Sequence, residues 1–95
     1  MTPEEIKTVV IDVLKEVQIA SGREWIDLDG GARPIGAVPG FDSLCAIEAT
    51  VLIEERMGCG IEVDTLFVSE NGTRALTLND VCGRIAEVLT RRRMP

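Results

Sequence analysis

The stretch Gly40-Phe41-Asp42-Ser43-Leu44-Cys45-Ala46-Ile47-Glu48-Ala49-Thr50-Val51-Leu52-Ile53-Glu54-Glu55-Arg56-Met57-Gly58 decides how this chain is read. Asp42 or Ser43 is suited to cap a helix, because a short side-chain oxygen accepts one of the first free backbone N–H groups. Gly58-Cys59-Gly60 is suited to end it, since glycine takes the left-handed conformation that closes a helix. A helix over about 43–57 is therefore expected. At about 100° per residue, Leu44, Ile47, Glu48, Val51, Glu54 and Glu55 share a sector of roughly 120°. Ala46, Ala49, Ile53 and Met57 lie on the opposite side. The unmixed face, whose alanines permit close approach, is the candidate for the core. The mixed face then exposes an apolar strip edged by three glutamates, a composition suited to a basic, partly apolar partner. The alternative is a strip packed beneath the preceding loop, with glutamates that only solvate the helix. This helix by itself does not separate the two.

Upstream, Thr2-Pro3-Glu4-Glu5 has the form of a capping box with proline at the first helical position. Ile6, Val9, Val10, Val13, Leu14 and Val17 follow at the offsets of one helical face, so a helix is expected over about 3–18. Glycine and proline then punctuate 19–41 too densely for a long regular element, and this segment reads as a loop anchored by Trp25, Ile26, Leu28 and Ile35. Asp27 and Asp29 beside Gly30 lack the further ligands of a calcium loop and read as a solvated turn, so no metal site is expected. Downstream, one brief helix or extended piece fits within 61–76, with Ser69-Glu70-Asn71-Gly72 as a turn. Thr77 and Asp80 open a last helix, about 78–92, with Leu78, Val81, Cys82, Ile85, Val88 and Leu89 on its apolar face. Arg91, Arg92 and Arg93 complement the negative end of its dipole.

A chain of 95 residues has room for one hydrophobic core and is read as a single domain over 1–95. With 45% hydrophobic and 27% charged residues it carries enough apolar material to fold. Only Trp25, Phe41 and Phe67 are aromatic, so a core of Val, Ile, Leu and Ala in packed helices is expected. The net charge of −6 repels nucleic acid and anionic membranes. The absence of histidine removes Ser-His-Asp and Cys-His machinery. Three cysteines, an odd number without a CxxC spacing, in a chain with neither a signal peptide nor a long apolar run, point to a cytoplasmic protein with no membrane span.

Gly40-Phe41-Asp42-Ser43-Leu44, with Ile47, Glu48, Val51, Glu54 and Glu55 beyond it, resembles the acyl carrier protein family. That family is marked by Gly-x-Asp-Ser-Leu at the start of the second of four helices. The likeness extends over most of the chain: a first amphipathic helix, a long loop, the serine at the head of the second helix, a short irregular element and a closing helix. It implies an all-α, four-helix bundle with a short irregular third helix. It further implies that Ser43 carries a covalent 4′-phosphopantetheine arm derived from coenzyme A, with Asp42 helping the modifying enzyme and Leu44 beside the arm. Asp42, Leu44, Ile47, Glu48, Val51, Glu54 and Glu55 fall where the family contacts its partners. The implied function is a monomeric, non-catalytic carrier of acyl groups, held as thioesters, for fatty-acid, lipid or specialised acyl-chain biosynthesis. Its implied partners are a phosphopantetheinyl transferase and enzymes that activate or transfer acyl groups.

The chain departs from the family pattern at Cys45, at Gly58-Cys59-Gly60, in the longer and less acidic segment from Ile61 to Leu76, and at Arg91-Arg92-Arg93. These departures point to a specialised carrier with dedicated partners. A peptidyl or polyketide carrier shares the Ser43 chemistry. An unmodified helical interaction module uses the same Leu44, Ile47 and Val51 strip, with Ser43 as a plain cap. An enzyme with Ser43 or a cysteine as nucleophile lacks the base it needs.

Overall fold

A computed structural model describes residues 2–58, 60–61, 66–69 and 72–93, with the side chains of 92 and 93 left out. The first helix, α1, is Pro3–Ala20. It opens with the reciprocal pair expected of its sequence: the Glu5 N–H donates to Thr2 Oγ1 at 3.2 Å and the Thr2 N–H to Glu5 Oε1 at 2.9 Å. Ile6, Val10, Val13, Leu14 and Val17 are buried along one stripe, with Val9 partly buried beside them. The helix runs two residues past position 18 because Ser21, through its backbone N–H and its hydroxyl, closes onto the Val17 carbonyl, after which Gly22 turns the chain at φ +70°.

The connection that follows contains one tight turn, α2 (Pro34–Ala37), whose Ile35 and Gly36 depart from helical angles. Helix α3 is Ser43–Met57 and α4 is Leu78–Arg93. Helix α1 packs against both. At the head of α4, the Asp80 N–H donates to Thr77 Oγ1 at 3.1 Å and the Thr77 N–H to Asp80 Oδ2 at 3.3 Å, a second capping box. Arg91 pairs with Glu87 one turn back.

The long connection is pinned rather than free. The Leu78 N–H donates to the Ala32 carbonyl and the Asn79 N–H to the Gly30 carbonyl, at 2.8 and 2.9 Å. The Asn79 side chain lies over Gly30 so closely that a Cβ there would meet it at 2.3 Å and push that side chain aside. Asp29 accepts the Gly31 N–H, the solvated turn its sequence suggests. Trp25, Leu28 and Ile35 pack against the core as anchors, but Ile26 is exposed, and Pro34, Val38 and Phe41 are buried instead.

The described part of 61–76 holds no helix. It forms an isolated antiparallel bridge between Val68 and Ala75, held to α3 and α4 by side chains. The Leu66 N–H donates to the buried Thr50 Oγ1 at 3.0 Å, and Arg84 Nη1 donates to the Val68 carbonyl at 2.7 Å. The short helical turn of this all-helical fold thus lies before α3, within 34–37, and not in the described part of 61–76; residues 62–65 and 70–71 lie outside the described set. A second correction concerns the core. Phe41 and Phe67 are both buried and meet edge to face, with ring centroids 5.5 Å apart, so the aliphatic core is keyed by an aromatic pair joining the α3 approach to the 66–76 segment. No described helix is long and apolar enough to cross a membrane.

Candidate functional site

The site is the head and outer face of α3. Phe41 is buried and its N–H donates to the Val38 carbonyl, so the chain emerges from the core at a defined point. Asp42, in extended backbone, is the cap: its Oδ1 accepts the Cys45 N–H at 3.0 Å and its carbonyl accepts the Ala46 N–H at 2.9 Å. The Cys45 N–H holds the Asp42 carboxyl below the usual carboxylate range, with smaller help from the Leu44 N–H and the Arg23 charge. Of the two capping candidates, Asp42 takes the role and Ser43 becomes the first residue of the helix. Its side chain is exposed, and among the described residues its hydroxyl makes no hydrogen bond. It stands at the positive end of a 15-residue helix, beside backbone N–H groups without intrahelical partners.

The outer face carries Leu44, Ile47 and Val51 at 75%, 43% and 50% exposure. Glu48 and Glu55 are exposed beside them, whereas Glu54, at the edge of the sector next to buried Thr50, is half-buried. Ala46, Ala49 and Ile53 are fully buried on the opposite face, and Met57 is partly buried. The strip does not pack beneath the loop. Arg56, the basic residue of α3, turns to an ion pair with Glu16 of α1, and among the described residues no cation pairs with Glu48, Glu54 or Glu55. The face therefore combines an uncovered apolar strip with uncompensated negative charge.

Two residues that sequence reasoning passed over brace the approach to Ser43. Gln18, fully buried, donates through Nε2 to the carbonyls of Glu24 and Pro39 at 2.8 and 2.9 Å. Arg23 donates through Nη1 to the Gly40 carbonyl at 2.6 Å and approaches Cys45 Sγ at 3.5 Å. Gln18 left a signal, a polar residue continuing the apolar series Val10 and Leu14 at four-residue steps. Arg23 left none.

Away from this site, a groove of about 370 Å³ between α1 and α4 is lined by Ile6, Lys7, Asn79, Cys82 and Gly83 among others, with no residue of α3. Burial pushes the Cys82 thiol above its ordinary range, against a smaller opposing effect of Lys7, which makes it a poor nucleophile. Among the described residues no cluster of metal-ligating side chains occurs. No family model, curated protein or solved structure matches the chain.

Proposed function

We propose that this protein is an acyl carrier, bearing a 4′-phosphopantetheine arm on Ser43 and docking its partner enzymes through the outer face of α3. The observation that carries the reading is the juxtaposition of an exposed, unbonded Ser43 hydroxyl at the head of α3 with an uncovered strip of Leu44, Ile47 and Val51 edged by Glu48, Glu54 and Glu55. A plain cap does not account for Ser43, because Asp42 already performs that role.

The site fits the group. A phosphodiester on Ser43 Oγ would lie beside the N–H groups of the first turn, where an exposed anion gains about 0.3–1 kcal/mol. When bound, the arm supplies a terminal thiol on which acyl groups are held as thioesters. The chain has no histidine, and the neighbouring Asp42 carboxylate is engaged by the Cys45 N–H and made a weaker base by it, so the proton on Oγ is taken by the modifying enzyme. In that loading step Ser43 Oγ attacks the phosphorus of coenzyme A nearest the pantetheine. The Oγ–P bond forms, the P–O bond to adenosine 3′,5′-bisphosphate breaks, and the hydroxyl proton passes to the transferase, which also supplies the magnesium ion. Thereafter the carrier contributes a tether and a docking face, and raises the local concentration of its cargo at whichever enzyme is bound. A monomeric, cytoplasmic protein serving specialised acyl-chain synthesis completes the reading.

The test is to incubate the chain with coenzyme A, magnesium and a broad-specificity phosphopantetheinyl transferase and record its intact mass. One phosphopantetheine adduct, lost in Ser43→Ala, is expected. An unchanged mass with several transferases would overturn the reading in favour of an unmodified interaction module.

A further inference from the structure

We infer that Arg23 is a positioning residue for Ser43, holding through the Gly40 carbonyl the turn that presents the hydroxyl to its modifying enzyme; the inference rests on the carrier reading. The guanidinium touches the chain on both sides of the serine, at the Gly40 carbonyl (2.6 Å) and at Cys45 Sγ (3.5 Å), and so brackets Asp42-Ser43-Leu44. Its own origin is fixed, since the Arg23 N–H donates to the Gln18 carbonyl at 2.9 Å. Gln18 in turn holds the Pro39 carbonyl, so the two successive carbonyls before Phe41 are both gripped, one from the last turn of α1 and the other by Arg23 just beyond it.

Gly40 is adapted to this grip in two ways. Its φ of +71° favours glycine, and a Cβ there would meet Arg23 Nε and Cδ at 2.6 and 2.7 Å. Like Arg84 on the Val68 carbonyl, Arg23 spends its Nη1 on a neutral main-chain carbonyl, and of these two bonds the one to Gly40 is the shorter, at 2.6 Å. A charge-assisted bond from an exposed arginine to main chain rigidifies a turn more than a neutral bond does. A turn that is already ordered saves the transferase the cost of ordering it on binding, and that saving belongs to KM.

The experiment compares wild type, Arg23→Met and Arg23→Lys, with loading rates followed by intact mass, amide exchange at residues 40–45 measured on the unloaded proteins, and thermal melting. Arg23→Met is expected to raise KM about five- to tenfold, with kcat little changed, to speed exchange at Phe41 and Cys45, and to leave the cooperative melt intact. Arg23→Lys, which keeps a donor of similar reach, recovers part of both effects. Because the bond is short and its acceptor neutral, the Arg23→Met defect persists at high salt. Wild-type KM and exchange in Arg23→Met would overturn the inference alone. A KM defect that vanishes at high salt would likewise overturn it, leaving a long-range charge effect. Failure of wild type to load would remove the carrier reading and the inference together, whereas loading of wild type with no effect of Arg23→Met removes only the latter.

Discussion

Asp42 and Cys45 are joined across Ser43: the Asp42 carboxylate accepts the Cys45 N–H at 3.0 Å, and the serine between them is left as the first, outward-facing residue of α3. This one bond divides the labour in Asp-Ser-Leu. The aspartate closes the helix, the serine is released from capping, and the leucine begins the exposed strip.

The cap makes part of the stability depend on pH. The Asp42 carboxyl titrates below its ordinary value in the folded protein. Its contribution is therefore present above the unfolded-state pKa and is lost as pH falls through the folded one. Asp42→Ala is expected to lower the melting temperature at neutral pH. Asp42→Asn, which keeps a capping oxygen, should lower it less and should flatten its decline in acid relative to wild type. Melting curves recorded from neutral to strongly acidic pH check both.

The two faces of α3 are expected to respond oppositely to truncation. Ile53 is fully buried and Val51 half exposed. Ile53→Ala should cost about 2–5 kcal/mol, whereas Val51→Ala should stay within about 0.5 kcal/mol. Val51→Ala should nevertheless weaken transferase binding. Chemical denaturation and a binding titration on the same variants measure the contrast.

Charge reversal at Glu48 or Glu55, both exposed, should leave the helical circular dichroism signal unchanged. Loading by the transferase should weaken roughly tenfold at low salt and converge on wild type as salt rises. Glu54→Lys is expected to add a loss of stability, because its side chain is half-buried at the edge of the face. A collapse of the helical signal in Glu48→Lys would mean that the faces are exchanged.

Thr50 joins α3 to the segment ahead of α4. Thr50→Val removes the acceptor of the Leu66 N–H at 3.0 Å and leaves a buried donor unsatisfied, at a cost of about 1–3 kcal/mol. Thr50→Ser should retain most of the bond. Faster exchange of the Leu66 amide in Thr50→Val, and slow exchange in Thr50→Ser, are the expected signatures.

What the sequence by itself determined lies within about one helical turn of the residues that determine it. Thr2 with Glu5, Thr77 with Asp80, and Gly58 at φ +67° are local pairs or single positions, and they set where α1 and α4 start and α3 ends. Helical periodicity puts Ala46, Ala49 and Ile53 on one side of α3, and that side is buried together with Thr50; that the opposite strip stays uncovered was settled only by the fold. Tertiary structure decided whatever joins distant positions. Asp42 rather than Ser43 caps α3, and the place of this one-residue step follows from where buried Phe41 lets the chain emerge. The pairing of Phe41 with Phe67, the hold of Gln18 on Pro39 and of Arg23 on Gly40, and the bridge between Val68 and Ala75 each depend on chain packing rather than on spacing. Caps and periodicity use backbone groups three or four residues apart, so residue types in order suffice to specify them. A guanidinium that reaches a carbonyl 17 residues away has no local signature, because any exposed arginine looks the same until the fold brings its acceptor near.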